Sequence, residues 1–219
     1  GRGREADRYE VSEENGRCNY ERNHCLCGKL ECSIMKIMKT IIEKIDKNQK
    51  NTDIIREAGR ILKEGGLVAF PTETVYGLGA DALNEDAAKK IYAAKGRPSD
   101  NPLIIHITNM KALDKIVSEV PEKAVKVAEK YWPGPLTMIF NKSDIVPYGT
   151  TGGLDTVAVR MPVDEIAREV IDAGGGYIAA PSANTSGRPS PTTAQHVAED
   201  LTGRVDMIVD GGAVEIGVE

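Results

Sequence analysis

The stretch GGLVAFPTETVYGLGADALNEDAAKKIYAAKGRPSDNPLIIHI, residues 65–107, contains each kind of element that decides the fold. Leu67–Phe70 is a short apolar run stopped by a proline, which predicts a buried strand. Asn84–Ala94 predicts a helix, because Asn84 can cap it, acidic residues occupy its first turn and a glycine follows its end. Leu103–Ile107 is apolar again and predicts a second strand. Polar segments rich in Gly and Pro separate the helix from both strands and predict loops.

Strands and helices alternate along the rest of the sequence as well. Further helices are predicted at Thr52–Gly65, Lys111–Val117, Glu122–Tyr131, Asp164–Asp172 and Thr193–Leu201. Further strands are predicted at Leu136–Phe140, Thr156–Arg160, Tyr177–Ala180 and Met207–Val209. Thr52 is expected to cap the first helix. This interleaving predicts an α/β fold with a twisted, mostly mixed central sheet flanked by helices.

Composition narrows the classes of function. The 219 residues suit one domain, and 41% of them are hydrophobic, with two Phe and one Trp, so the core must be aliphatic. The net charge of −5 argues against a broad basic surface for nucleic acid. No apolar run reaches the ~20 residues of a membrane span, and the N-terminus lacks the apolar region of a signal peptide. We therefore expect a cytoplasmic protein without membrane contact.

The first 34 residues differ from the rest, because they mix charge, Asn, Gly and Cys without helical or strand periodicity. We interpret residues 1–34 as an irregular leader, non-native or disordered, with Met35 or Met38 as the initiator, and residues 35–219 as the folded domain. The four cysteines all lie in this leader, at Cys18, Cys25, Cys27 and Cys32. Their spacing does not match the two short knuckles of a zinc module. A zinc site is therefore not predicted.

Several standard catalytic motifs are absent from the sequence. It has no G-x-x-x-x-G-K-[ST] phosphate loop, no G-x-G-x-x-G after its first strand, no G-x-S-x-G elbow and no H-E-x-x-H. Beyond the leader it has no cysteine and only two histidines, His106 and His196. An enzyme with this sequence must therefore rely on positioning and electrostatics.

Four polar segments remain at predicted strand ends or in predicted loops. They are PTETVYGLG at 71–79, KGRPSDNP at 95–102, TVAVR at 156–160 and PSANTSGRPS at 181–190. Taken alone, the cations of the second would be a solvated helix end, and the polar residues of the fourth would be ordinary turn residues. Together the four segments are hard to explain as turns.

These segments resemble the YrdC/Sua5 family of threonylcarbamoyl-AMP synthases. The similarity runs from about Thr52 to the C-terminus and rests on the combination of PTETVYGLG, KGRP and PSAN. It implies a YrdC-like fold, related to the RibB type, with a concave substrate cleft, and makes residues 35–219 the catalytic domain. It also implies a nucleotidyltransferase that converts ATP, L-threonine and bicarbonate into threonylcarbamoyl-AMP and pyrophosphate for the t6A modification of tRNA.

The resemblance assigns ATP contacts to seven residues. In the family a Lys-x-Arg pair and a Ser-x-Asn pair face each other around the phosphates. These roles pass to Lys95 and Arg97, which are also the expected catalytic residues, and to Ser182 and Asn184, with further contacts at Asn101, Thr156 and Ser190. The negative charges of ATP require such cations and donors. Mg²⁺ is expected to accompany ATP, held by phosphate and water rather than by a protein cage.

The resemblance assigns L-threonine contacts to Thr74, His106, Arg160 and Ala180. The guanidinium of Arg160 would clamp the carboxylate, and Ala180 would contribute backbone groups only. The implied mechanism adds the neutral amine to bicarbonate or CO₂, and the resulting carbamate attacks the α-phosphorus. His106 is a candidate for keeping the amine neutral.

The family passes its product to a separate tRNA-modifying transferase complex, which is the expected partner, together with weak tRNA binding. Family members continue past Gly-Val-Glu into a substrate-contacting Ser-Thr segment, so the domain is expected to be truncated at Glu219. Three alternatives stay open: a tRNA- or dsRNA-binding module of the same fold without catalysis, an enzyme of carbamoyl phosphate in hydrogenase maturation, and an inactive paralogue. Strongly salt-dependent tRNA binding without ATP turnover would indicate the first.

Overall fold

The computed structural model describes residues 39–46 and 51–218. The interpretation of residues 1–34 as an irregular leader, and of its four cysteines, lies outside the described residues. In the part that is described, no helix is both long enough and apolar enough to span a bilayer.

Within the described residues, eight strands form one sheet. The strands are β1 (Ile41–Lys44), β2 (Val68–Phe70), β3 (Gly77–Asp81), β4 (Ile104–His106), β5 (Thr137–Asn141), β6 (Thr156–Arg160), β7 (Ile178–Ala179) and β8 (Met207–Asp210). Their order across the sheet is β1-β8-β2-β3-β7-β4-β6-β5. The pairs β1–β8, β2–β8 and β4–β6 are parallel, and the other four pairs are antiparallel. The predicted α/β fold with a mixed sheet is confirmed.

The helices of the described residues are α1 (Thr52–Lys63), α2 (Glu85–Lys95), α3 (Leu113–Ile116), α4 (Glu122–Tyr131), α5 (Tyr148–Thr151), α6 (Glu165–Ala173) and α7 (Ala194–Leu201). A short 3₁₀ turn, Met110–Ala112, precedes α3. α2 begins as predicted, because Asn84 Oδ1 accepts hydrogen bonds from the amides of Asp86 and Ala87. It ends at Gly96, whose φ of 65° favours glycine.

The predicted cap of α1 is wrong. Thr52 is the first helical residue, and Asn51 occupies the N-cap position without a side-chain capping bond. The Asn51 side chain instead bonds the backbone of Asp46, with its Oδ1 accepting from the amide at 3.0 Å and its Nδ2 donating to the carbonyl at 2.8 Å. Asn51 thus ties the helix start to the preceding segment.

β3 occupies part of the segment that was predicted to be a polar loop. Its glycines are needed for packing: a Cβ on Gly79 would lie 2.6 Å from Phe70 Cε1 and 2.9 Å from Ile178 Cγ2. These neighbours come from β2 and β7, on either side of β3. The strand therefore passes between two large side chains by having none of its own at this position.

Each face of the sheet has its own core. On the first face, α2, α3, α4 and α7 pack against strand residues such as Leu78, Ile105 and Val159. On the second face, α1 and α6 pack against Val68, Phe70, Ile178, Met207 and Val209. The second core takes its strand residues from β2, β7 and β8.

The other half of the second face is more exposed. We call it the open face, and it consists of second-face residues of β4, β5 and β6: Ile104, Thr137, Ile139, Thr156 and Ala158. These side chains are half-buried except for Ile139, which is 71% exposed. None of them belongs to the core under α1 and α6. The covered and open halves of one sheet face thus meet near β7 and β4.

Candidate functional site

Five of the predicted site residues lie on or beside the open face. Along β6, side chains alternate, so Thr156 and Arg160 share this face, while Val157 and Val159 are buried on the other. His106 pairs in register with Arg160 and therefore points to the same side. The chain beyond β7 continues beside it, with the Ala180 amide donating to the Ile104 carbonyl at 2.9 Å.

Ser182 extends this arrangement, because it forms an antiparallel bridge with Gly77 two residues after Ala180. The four residue steps from Thr156 to Arg160 span ~13 Å of strand. The open face therefore has two separated ends, and each holds a cluster of predicted site residues. The Lys95 cluster consists of Lys95, Ser182 and Asn184, and the Arg160 cluster consists of Glu73, Thr74, His106 and Arg160.

The Lys95 cluster joins Lys95 to the Ser182/Asn184 pair, which lies 87 and 89 residues further along the sequence. Lys95 is the last residue of α2 and is 3% exposed. Its ammonium donates to the carbonyls of Ser182 and Asn184, the latter at 2.7 Å, and to Asn184 Oδ1 at 3.2 Å. An ammonium has three donors, so these three oxygens match its capacity.

The loop that carries Ser182 and Asn184 is held by further hydrogen bonds. Asn184 Nδ2 donates to the carbonyls of Thr185 and Arg188, at 3.0 and 2.7 Å. Asp200 of α7 accepts from the Thr185 amide at 2.9 Å and forms an ion pair with Arg188. Asp200 thereby anchors the loop to α7.

Arg97 and Asn101 form a separate pair. Arg97 is half-buried, and its Nη2 lies 3.4 Å from the Asn101 carbonyl, while its guanidinium carbon lies 5.9 Å from the centre of the Tyr92 ring. Burial lowers the pKa of Arg97 from its ordinary value. In the part of the chain that the structure describes, Arg97 forms no ion pair.

Two predicted ATP contacts lie outside these groups. Thr156 is half-buried at the start of β6, and Ser190 is half-buried at the end of the loop that contains Asn184. Their assignment to ATP stays a prediction.

The Arg160 cluster is built around a buried ion pair. Arg160 Nη2 lies 2.5 Å from Glu73 Oε1 and 3.2 Å from Thr74 Oγ1. All three residues are less than a tenth exposed. Thr72 holds the turn that presents Glu73, because its hydroxyl donates to the Val75 carbonyl at 2.7 Å.

This ion pair is incompletely satisfied. Glu73 Oε2 and Arg160 Nε are both buried, and neither has a hydrogen-bond partner among the described residues. Glu73 was not a predicted site residue. The available signal was that it is the one charged residue between Gly65 and Ala80, directly after a buried strand and a proline.

His106 lies beside Arg160 and is 3% exposed. Burial, and secondarily the charge of Arg160, lower the pKa of His106 to about 4. Its Nδ1 is 3.2 Å from the Ile104 carbonyl. At neutral pH the imidazole is therefore uncharged, and it can make hydrogen bonds but is a weak base.

No group of three or more His, Cys, Asp or Glu side chains among the described residues is arranged to hold a metal ion. The open face therefore offers donors and cations rather than a metal cage. Lys95 and Arg97 are cations that can interact with an anionic group, and the Arg160–Glu73 pair can interact with a group that carries both charges.

A family model, curated proteins and solved structures all indicate the same family. The family model Sua5_yciO_yrdC, described as "Telomere recombination", matches residues 60–219. The threonylcarbamoyl-AMP synthase of Pyrococcus abyssi (strain GE5 / Orsay) is 59% identical over 165 residues, which are 75% of this chain and 48% of that protein. The threonylcarbamoyl-AMP synthase of Bacillus subtilis (strain 168) is 52% identical over 186 residues, which are 84% of this chain and 54% of that protein.

Among solved structures, the P. abyssi Sua5 protein complexed with L-threonine superposes with a TM-score of 0.80 at 56% identity. The match covers 82% of this chain and 53% of that one. The chain thus spans about half the length of the curated relatives it matches.

Proposed function

The chain belongs to the Sua5/YciO/YrdC family, and on that basis we propose that it uses ATP to convert L-threonine and bicarbonate into threonylcarbamoyl-AMP and pyrophosphate. Residues 35–219 are the proposed catalytic domain. The product would serve the t6A modification of tRNA, passed to a tRNA-modifying transferase complex in the cytoplasm. Weak tRNA binding belongs to the same proposal.

The observation that carries this proposal is the difference in charge between the ends of the open face. Arg97, two residues after Lys95, forms no ion pair within the described residues. Arg160, in contrast, is neutralised by Glu73. A positive end suits the triphosphate of ATP, and an end without net charge suits an amino acid, which is a zwitterion at neutral pH.

The proposed reaction has two steps. The neutral amine of threonine attacks the carbon of bicarbonate, with loss of water, and gives a carbamate. A carbamate oxygen then forms a bond to the α-phosphorus, and the bond to the β-phosphate oxygen breaks, so that pyrophosphate leaves with the electron pair. The open face would contribute proximity between the two substrates and, at Lys95 and Arg97, neutralisation of phosphate charge.

His106 and Mg²⁺ have limited roles in this proposal. A histidine with a pKa of about 4 is a poor proton acceptor at neutral pH, so His106 would bind substrate as a neutral donor or acceptor. Mg²⁺ is expected to arrive with ATP, and no step is assigned to a protein-bound metal, because the described residues offer no cage for one.

Pyrophosphate release tests the proposal directly. The chain is supplied with ATP and bicarbonate and with L-threonine, L-serine or no amino acid. Release should depend on L-threonine and should fall by ~10²-fold or more in Lys95→Ala and in Arg97→Ala, as for the loss of other electrostatic stabilisers. Arg56→Ala, which removes an exposed cation of α1, is the control and should leave the rate unchanged.

One result would contradict the proposal. If the chain neither binds L-threonine nor releases pyrophosphate in response to it, the synthase assignment is wrong. Tight tRNA binding that weakens steeply with salt would then support the binding module instead.

A further inference from the structure

The two unsatisfied atoms of the Arg160 cluster call for a physical explanation. Glu73 Oε2 is an acceptor and Arg160 Nε is a donor, and both are buried without a partner among the described residues. A buried polar atom that loses its hydrogen bond to water costs free energy, and this cost is greatest for charged groups. The unused acceptor can bind a cationic group and the unused donor can bind an anionic one. The ion pair therefore matches a ligand that carries both charges.

A cavity beside Glu73 adds a second observation. It has a volume of about 260 Å³ and is lined by the ends of β2 and β8 and by the start of α6. Its lining includes four carboxylates and, among the described residues, no Lys or Arg; the carboxylates belong to Glu73, Asp164, Glu165 and Glu215. The electrostatic potential on this side of Glu73 therefore favours a cationic group.

We propose that Glu73 binds the amino group of the amino-acid substrate. Threonine would bind as the zwitterion, with its ammonium facing Glu73 Oε2 and the acidic cavity and its carboxylate facing Arg160. The ammonium must then release one proton to solvent before the neutral amine attacks bicarbonate. This proposal rests on the proposed function, and it adds a substrate-binding residue to the four assigned to L-threonine. It also explains why a guanidinium that binds a carboxylate is already paired with another one: the Arg160–Glu73 pair has no net charge, which matches a zwitterion, whereas a ligand with only a carboxylate would leave an excess negative charge.

The rival explanation is that Glu73 only positions Arg160. The two explanations predict that loss of the Glu73 charge weakens contacts to different groups of the ligand. A positioning residue acts on the carboxylate end, so its loss should weaken every ligand that carries this carboxylate. An ammonium-binding residue should matter only for ligands that have the ammonium.

Calorimetric titration with two ligands separates the explanations. The ligands are L-threonine and its α-hydroxy acid analogue, in which a hydroxyl replaces the amino group. Glu73→Gln should weaken L-threonine binding by about tenfold, because a neutral amide is a poorer partner for an ammonium than a carboxylate. It should leave binding of the hydroxy acid unchanged or make it tighter, since the Arg160 charge is then uncompensated. Glu169→Gln, at an exposed position of α6 that does not line the cavity, is the matched control and should change either affinity by less than about twofold.

A measurement on the wild-type chain tests the proposal even if the Glu73→Gln variant does not fold. It should bind L-threonine at least about tenfold more tightly than the hydroxy acid. Equal affinities for the two ligands would overturn the proposal, as would an equal loss of both in Glu73→Gln. If the wild-type chain binds the hydroxy acid but not L-threonine, the Glu73 proposal is also wrong. If it binds neither ligand, the function proposed above fails, and that outcome is distinct from a failure of Glu73 alone.

Discussion

Lys95 and Arg160 are both buried cations beside one sheet face, but their surroundings are of different kinds. Lys95 donates to two carbonyl oxygens and a side-chain amide oxygen. Arg160 is paired with a carboxylate and a hydroxyl, and it retains a nitrogen without a partner among the described residues. The first cation has its hydrogen-bonding capacity used, whereas the second has unused capacity.

The difference shows that hydrogen bonding and charge are separate quantities in this site. Neutral oxygens can satisfy the hydrogen-bonding geometry of an ammonium without bringing a negative charge of their own. A carboxylate removes the net charge of a guanidinium and leaves some of its five donors unused. The Lys95 cluster is therefore suited to attract an anion, and the Arg160 cluster is suited to sort ligands by shape and by hydrogen-bonding pattern.

Removal of the Arg160 side chain should have the largest effect on stability. Arg160→Ala leaves Glu73 charged, buried and unpaired, which should cost about 3–5 kcal/mol of the free energy of unfolding. Urea denaturation measures this loss. The double variant Glu73→Leu with Arg160→Met should recover most of it, because a buried ion pair can be replaced by apolar residues at little cost. No recovery would mean that the pair does not act as a unit.

The pH dependence of stability should reveal His106 beside Arg160. The folded-state pKa of about 4 lies below the 6.5 of the unfolded chain, so the unfolded state binds more protons between these values. This contribution is fully present above pH ~6.5 and is lost as the pH falls towards ~4, by about 3 kcal/mol. His106→Gln should have a flatter profile in urea titrations between these pH values. Parallel profiles for the two proteins would contradict the neutral, buried imidazole.

Substitutions of Lys95 and Arg97 should have different effects on stability but similar effects on ligand binding. Lys95→Met removes the donor from three oxygens. It should lower the free energy of unfolding by about 1–3 kcal/mol and should also lower the affinity for ATP. Arg97→Ala should lower ATP affinity while lowering the free energy of unfolding by less than about 0.5 kcal/mol, because Arg97 is half-exposed and forms no ion pair among the described residues. Both variants should bind L-threonine within about twofold of the wild type. Weakened L-threonine binding in both would show that the two ends are not independent.

The smallest effect on ligand binding is expected from Asp200, which holds the loop of the Lys95 cluster. Asp200→Ala removes the acceptor of the Thr185 amide and should cost about 1 kcal/mol. The loosened loop should weaken ATP binding a few-fold without changing L-threonine binding. Glu199→Ala, at the neighbouring exposed position of α7, is the control. Equal effects of the two substitutions would show that loss of charge on this helix, and not the loop contact, is responsible.

Local signals in the sequence were sufficient for much of the fold. The bounds of α4 and β6 agree with the prediction, because a charged amphipathic run and an alternating β-branched run leave little ambiguity. β3 was missed because Gly77 and Gly79 weaken any strand pattern, and the reason for them lies in Phe70 and Ile178. β1 was missed because all four of its residues are exposed, so it has no buried alternation to detect.

The contact between Lys95, Ser182 and Asn184 was predictable from the motifs, whereas their binding roles stay predictions and the pairing of Glu73 with Arg160 was not foreseen. The motifs identified Lys95, Ser182 and Asn184, and the structure joins them. Glu73 was missed because its significance depends on Arg160, 87 residues away, and on a cavity formed by the ends of other elements. A sequence shows which residues carry charge, but the neutralisation of one charge by another is a property of tertiary structure.

β7 has only two residues, yet it separates β3 from β4 in the middle of the sheet. Ala179 pairs with Ala80 on one side and with Ile105 on the other, so few hydrogen bonds join the half of the sheet under α1 and α6 to the half that carries the open face. In amide hydrogen exchange, partial opening of the sheet should follow this seam. Exchange at Ile178 and Ala179 would then report how firmly the two halves are held together, and bound ligands that contact both halves should slow it.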